Sequence, residues 1–376
     1  MGVTAVICEY NPFHSGHERQ IRYIKETRPD DAVVCIMSSY FCQRGEAAVF
    51  TPKARAECAL AAGADVVLGL SAADVLKDAS GFADSGVCAA AAIGADTLCF
   101  GSESGNMSKI VEAANAQEGD GFNEKLERMM KSDVTRSRAS FVSELSGELG
   151  SNDILGIEYV KSIKKHGFAI NPETIKREGG YLADGSAFAI RNALLGGKEP
   201  GGMPDYAEKI VKREMKEGRV FSLGYAERAV LAGLRTADID SLTGYYALNR
   251  ELSGILIKSA AQARSLRELL EIGARKKYSA SRLRRAVLAI MLRIPAKRSV
   301  QHPAYLTLIG LSKAFSDGFS VLKKKSGICI ASRASEAKAA DMPAFEAENR
   351  AASFYALCGG TVNTAREYIT QKPVVI

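Results

Sequence analysis

Short apolar, β-branched runs alternate with longer amphipathic stretches over the first hundred residues. The runs 3–8, 32–37, 66–70 and 97–100 are apolar at successive positions, as strands buried on both faces of a parallel sheet are. Between them, 18–27, 52–62 and 80–93 carry helical spacing. Thr51-Pro52 supplies an N-cap followed by proline in the first turn, and Gly63 and Gly94 fall where helices stop. Strand–helix alternation of this kind predicts a doubly wound parallel sheet covered by helices on both faces. Residues 106–148 are polar and helical. A helix over 153–165, a strand within 168–177 and a short helix over 187–194 follow. The glycine-rich stretch 196–202 then marks a composition shift. The pattern therefore predicts an α/β domain over 1–197 and a mostly helical domain over 203–376. Helical periodicity in the second domain covers 252–274, 281–292 and 345–357, with candidate short strands at 307–311 and 327–331.

Composition narrows the class without naming a chemistry. The chain has 376 residues, 47% hydrophobic and 25% charged, which suits a globular protein of two or three domains and excludes a disordered one. A net charge of +7 permits a polyanionic partner without requiring one. The eight cysteines form no C-x-x-C pair, so zinc-ribbon and thioredoxin readings fail. Most lie in apolar runs, as in proteins of a reducing cytosol, and a cytoplasmic location is expected. Residues 1–8 lack a basic leader, and no apolar run is long enough to span a bilayer, so neither a signal peptide nor a membrane anchor is expected.

The chemistry enters with Asn11-Pro12-Phe13-His14-Ser15-Gly16-His17, directly after the first predicted strand. Two of the four histidines stand three apart at a strand end, the edge where open α/β sheets bind ligands. A helix N-terminus follows, with unpaired N–H groups and a positive dipole end, and Gly16 permits close backbone approach. Imidazoles at that spot form a phosphate site. They are aimed at the charge that builds on a departing pyrophosphate when an α-phosphorus is attacked.

The H-x-G-H pattern after a first parallel strand resembles the HIGH-type nucleotidyltransferase superfamily. Further blocks narrow the resemblance: Cys8-Glu9-Tyr10-Asn11-Pro12-Phe13, Met37-Ser38-Ser39-Tyr40-Phe41-Cys42-Gln43-Arg44-Gly45-Glu46, Ala62-Gly63-Ala64-Asp65, Phe100-Gly101-Ser102-Glu103, Asn152-Asp153-Ile154-Leu155-Gly156, and Lys277-Tyr278-Ser279-Ala280-Ser281-Arg282-Leu283-Arg284-Arg285. In this order along most of the chain they resemble the tRNA(Met) cytidine acetate ligase family. That resemblance implies ATP-dependent activation of acetate as acetyl-adenylate with release of pyrophosphate. The acetyl group then passes to N4 of the wobble cytidine of elongator tRNA(Met), leaving AMP. Mg²⁺ is expected with the ATP, and no residue is assigned to a metal.

Carried over residue by residue, the resemblance implies catalysis by His14 and His17. It also implies nucleotide contacts from Ile7, Cys8, Glu9, Tyr10, Asn11, Pro12, Phe13, His14, Ser15, Gly16, His17, Glu18, Arg19 and Gln20, then from Gly101, Asn152 and Arg177. Read alone, Asn152 is a helix N-cap and Arg177 a surface strand charge. Ser186-Ala187-Phe188-Ala189-Ile190-Arg191 lies where such folds carry an S-x-T-x-x-R phosphate motif, with Phe188 replacing the hydroxyl, and Arg191 is a phosphate candidate or a structural arginine. Arg44 is likewise a phosphate or tRNA contact, or the partner of Glu46 in a structural loop. The basic run containing Lys276, Lys277, Arg282, Arg284 and Arg285 around Tyr278 suits an RNA backbone with one stacking ring, or is a solvated helix face. Two departures stand out: Gly69-Leu70-Ser71 replaces the family's E-L-P run, and Ser15 replaces an asparagine. The alternatives are a small-molecule adenylyltransferase acting on a pantetheine or nicotinamide mononucleotide type of substrate, and a non-catalytic nucleotide- and RNA-binding protein.

Overall fold

The computed structural model describes residues 2–132, 141, 144, 149–177, 186–199, 201–274, 278–297, 303–361, 363–369 and 372–376. The first four runs form strands β1 (Val3–Cys8), β2 (Ala32–Ser38), β3 (Val66–Leu70) and β4 (Thr97–Ser102), and β5 (Asn171–Lys176) follows. All pair in parallel, in the order β5-β4-β1-β2-β3. β1, β2 and β3 are buried along their whole length, which is why they read as continuous apolar runs. Helices α1 (Ser15–Thr27) and α2 (Pro52–Ala61) pack on one face. Ala79–Ala92, Met107–Glu118 and Ser151–His166 pack on the other.

The sheet does not end where the glycine-rich stretch begins. The strand β6 (Tyr305–Leu311) returns to pair antiparallel with β3, and β7 (Cys329–Ala331) and β8 (Val374–Val375) both pair parallel with β6. The result is an eight-stranded sheet, parallel at every pairing but one.

Between these returns, Glu227–Arg235, Arg250–Gln262, Leu266–Ala274 and Ala280–Met291 build a helical body. Its core contains Val230, Leu256, Leu269, Leu283 and Val287 and is closed by Tyr355 of the helix Met342–Leu357. The single helix predicted over 252–274 is two helices. Ala263 is extended (φ −77°, ψ 143°), and Ser265 restarts the helix by accepting from the Glu268 N–H at 3.1 Å. No helix among the described residues is long and apolar enough to cross a membrane.

Candidate active site

The carboxyl ends of β1 and β4, the start of α1 and the start of Ser151–His166 enclose a cleft of about 620 Å³. His14 is the N-cap of α1. Its Nδ1 accepts the Gly16 N–H at 3.0 Å, and His17 Nδ1 accepts the His14 N–H at 3.2 Å. The two rings stack at 3.7 Å between centroids, 26° apart, and Tyr10 meets the His17 ring edge-on at 4.8 Å. A nitrogen that accepts carries no proton, so in each neutral imidazole the proton sits on Nε2. Burial and the nearby Arg177 guanidinium hold His14 neutral, with its pKa lowered to about 4. Burial, His14 and Arg177 push His17 down as well. His14 Nε2 is buried without a hydrogen-bond partner, a donor that the fold prepares and does not use.

The backbone amides behave differently from the expectation. Ser15 N–H donates to the Gly202 carbonyl at 3.1 Å, and Gly16 N–H is spent on the His14 ring. At the start of α1 the donors left for a ligand are therefore side chains. Arg177 follows β5 and lies over Gly101, where a Cβ would come within 3.1 Å of its Cγ; a larger residue at 101 would displace the arginine. Arg191 reaches in from Ala187–Leu195, donates to the Asn11 carbonyl at 2.6 Å and stands 3.6 Å from Glu46.

Asn152 stands in the first turn of Ser151–His166, whose N-cap is Gly150, so Asn152 is not itself the cap. Its side-chain amide donates to Glu103 at 2.6 Å. The same carboxylate accepts the N–H groups of Asn152 and Asp153 at 3.0 Å each.

Of the residues assigned to the nucleotide, Pro12 and Phe13 are not among those lining the cleft. Phe13 is buried behind it against Tyr10 and His17. Ile7, Cys8, Glu9, Tyr10, Asn11, His14, Ser15, Gly16, His17, Glu18, Arg19, Gln20, Gly101, Asn152 and Arg177 all line it, as do Arg44 and Arg191. Three of these also anchor α1. Glu18 accepts from Tyr206 Oη at 3.1 Å, Arg19 donates to the Lys176 carbonyl at 2.6 Å, and Gln20 donates to the Cys99 carbonyl at 3.0 Å.

Of the basic run, Lys276 and Lys277 lie outside the described residues. Arg282 is exposed and stands 5.0 Å over the Tyr278 ring. Arg284 turns to the cleft rim, where its Nε donates to the Arg44 carbonyl at 3.0 Å and its Nη2 stands 3.4 Å from Glu46. Glu46 thus joins Arg191, on the nucleotide side, to Arg284, on the helical body. Arg285 is half-buried beside Asp78, and burial lowers its pKa.

Sequence reasoning missed two positioning residues. Glu103 stands in a quoted block, but nothing local reveals that its carboxylate caps a helix beginning at residue 151. Arg55 is almost wholly buried and donates to the carbonyls of Phe50, Glu9, Ser38 and Ser39, tying the loops after β1 and β2 together. It stands between Ala54 and Ala56 in a predicted helix, where no local pattern distinguishes it from a surface charge.

With this geometry in view, comparison with known proteins is decisive. The HIGH Nucleotidyl Transferase family model matches residues 1–368. A tRNA(Met) cytidine acetate ligase of Fervidobacterium nodosum is 33% identical over 89% of this chain and 84% of its own. That of Thermosipho melanesiensis is 34% identical over 89% and 85%. The crystal structure of Thermotoga maritima TmcAL bound with alpha-thio ATP superposes over 100% of both chains with a TM-score of 0.88 at 29% identity. An apo form of the same protein gives 0.90 at 28%, again over 100% of both chains. The chain belongs to the HIGH nucleotidyltransferase family and, within it, to the tRNA(Met) cytidine acetate ligases.

Proposed function

We propose that this enzyme activates acetate with ATP and delivers the acetyl group to N4 of the wobble cytidine of elongator tRNA(Met). The observation that carries the reading is the buried, unpartnered Nε2 of His14 beside the stacked His17, at a strand end in a cleft large enough for a nucleotide. Preorganised neutral donors stabilise charge as it develops and need no reorganisation at the moment of reaction.

In this reading His14 and His17 donate through Nε2–H to the triphosphate, and Arg177 and Arg191 neutralise it. An acetate oxygen attacks the α-phosphorus, the bond between the α-phosphorus and the bridging oxygen breaks, and pyrophosphate leaves in the field of these groups. Asn152, held by Glu103, orients the adenosine half. The cytidine amine then attacks the acetyl carbon, its C–O bond to AMP breaks, and the amine loses a proton. Holding an amine this weak against the mixed anhydride makes positioning a large share of the catalysis.

Mg²⁺ would supply the counter-charge of the phosphates. The cleft carboxylates Glu9, Glu18, Glu46 and Glu103 are each engaged with N–H groups, arginines or the Tyr206 hydroxyl, so none is assigned to it. Residues 1–197 carry the ATP chemistry, while 203–376 hold the tRNA, chiefly through Arg282, Arg284 and Arg285 with Lys276 and Lys277. The reaction belongs in the cytoplasm, where tRNA is found.

Incubation with labelled acetate, ATP and bulk bacterial tRNA tests the proposal. Labelled N4-acetylcytidine with equimolar AMP is expected, without acetyl-CoA. Pyrophosphate release that needs a small phosphorylated acceptor instead would assign a small-molecule adenylyltransferase. ATP binding with neither product would assign a non-catalytic shell. His17→Ala is expected to abolish adenylate formation and leave tRNA affinity within about twofold, because His17 faces the triphosphate and not the helical body.

A further inference from the structure

Away from the cleft, the helices Ala79–Ala92 and Ser151–His166 meet around three chemically different donors. Asp84 and Cys88 are four apart on the first helix and so lie on one face. Ser162 and His166 are four apart on the second. One donor atom each from Asp84, Cys88 and His166 lies within 4.8 Å of the other two. Asp84 Oδ1 is 2.8 Å from His166 Nε2, accepts the Ser162 hydroxyl at 2.9 Å, and stands 3.4 Å from Lys165 Nζ.

We propose that Asp84, Cys88 and His166 form a structural Zn²⁺ site that staples these two helices. The set joins a thiol, an imidazole and a carboxylate, the ligands zinc takes at about 2.0–2.3 Å, and a water would complete the tetrahedron. Tetrahedral bonding at those lengths separates ligand atoms by roughly 3.3–3.7 Å. The Asp84–His166 pair must therefore open slightly and the thiol close in, both within reach of side-chain rotation. Cys88 is buried and His166 half-buried against Phe168, so the site is partly shielded from water. The Ser162 hydroxyl already orients Asp84, as an outer partner of a metal carboxylate does.

The charges balance in the same way. Without metal, Lys165 and the imidazole N–H hold the Asp84 carboxylate. On binding, Cys88 gives up its thiol proton to solvent and the imidazole proton moves to Nδ1, so that Nε2 faces the metal. Lys165, with its side chain 64% exposed, swings outward. One aspartate, one thiolate and one neutral imidazole bring the charge of the occupied site to zero. The site lies roughly 21 Å along the helix from Asn152. Its role is to hold the helix that presents Asn152 to the cleft, not to act on substrate.

The full-length protein, stripped with chelator and dialysed, is titrated with Zn²⁺ by calorimetry and with Co²⁺ by absorption. One Zn²⁺ per chain with release of one proton is expected, and Co²⁺ is expected to give a thiolate charge-transfer band. Cys88→Ser and His166→Gln are each expected to weaken Zn²⁺ by more than about 100-fold, and Cys88→Ser to remove the band. Lys165→Gln, which removes the competing cation, is expected to bind more tightly. His17→Ala is expected to keep the full stoichiometry, which separates this site from the cleft histidines. No stoichiometric binding to the wild type, or binding that Cys88→Ser and His166→Gln leave intact, overturns the proposal.

Discussion

His14 has two duties that fall on opposite nitrogens of one ring. Nδ1 caps α1, and that hydrogen bond fixes the proton on Nε2, where the cleft needs a donor. The duties are separable. His14→Asn keeps a capping oxygen and loses the distal N–H. Its effect on stability is expected to stay within about 1 kcal/mol, the scale of a cap. Adenylate formation is expected to fall about 10²–10³-fold, the scale of a lost charge-stabilising donor. Chemical denaturation and pyrophosphate exchange measure the two separately.

The lowered pKa has its own signature. The folded ring protonates at about 4 and the unfolded one near 6.5, so between these values the unfolded state binds the extra proton. Stability carries no penalty from this ring above pH 6.5 and is lost as pH falls toward 4, by on the order of 3 kcal/mol in all. In His14→Asn the stability curve is expected to be flatter in that window. An unchanged curve would mean that the ring is not buried as neutral imidazole. The same residue explains a boundary that sequence missed. Histidine is not a customary N-cap, so the pattern placed the helix start at Glu18 while the capping bonds begin it at Ser15.

At the scale of elements, the informative contact joins the loop after β2 to the helix Ala280–Met291. Gly45 takes φ +75° there, and a Cβ would come within 2.7 Å of both Arg284 Cβ and the Arg285 backbone nitrogen. That packing puts the second turn of a basic helix at the rim of the ATP cleft. Arg282 and Arg284 then differ in kind. Arg282→Ala removes an exposed charge beside Tyr278, and is expected to weaken tRNA binding and lower the slope of log affinity against log salt by about one, with stability unchanged. Arg284→Ala also frees the Arg44 carbonyl and Glu46, so a loss of ATP affinity is expected as well. A filter-binding salt series and nucleotide titration check both, and an unchanged slope for Arg282→Ala would remove this helix from the docking surface.

The basic run and the histidine motif were both legible in sequence, because each is local. Their adjacency was not, since it depends on Glu46 forming ion pairs with both Arg191 and Arg284, residues far apart in the chain. The split of the 252–274 helix was visible in principle in Ser265 and Glu268, but an unbroken apolar stripe outweighed that cap signal.

Over the whole molecule, the apolar runs at 307–311 and 327–331 were legible as strands, but their partner was not. Periodicity records how an element is buried, not which edge it joins. The partner is β3: Val66 pairs with Leu311, Val67 with Gly310, Leu68 with Leu308 and Gly69 with Thr307. Gly69, at the family's departure point, is where Ile309 packs so closely that an added Cβ would meet its Cδ1 at 2.8 Å. The energetic consequence follows from the edge. β3 is fully buried, and without β6 its unpaired N–H and C=O groups would lie along an apolar strand open to any other chain. A fragment ending at residue 297 keeps every residue assigned to ATP and the whole basic run, yet loses that cover. It is expected to associate on size-exclusion chromatography, to bind a hydrophobic dye and to lack a cooperative thermal transition, while the full chain gives a single one. A monomeric, cooperatively melting fragment that binds ATP would mean instead that the first five strands fold by themselves and that β6, β7 and β8 are an addition to a sheet already stable.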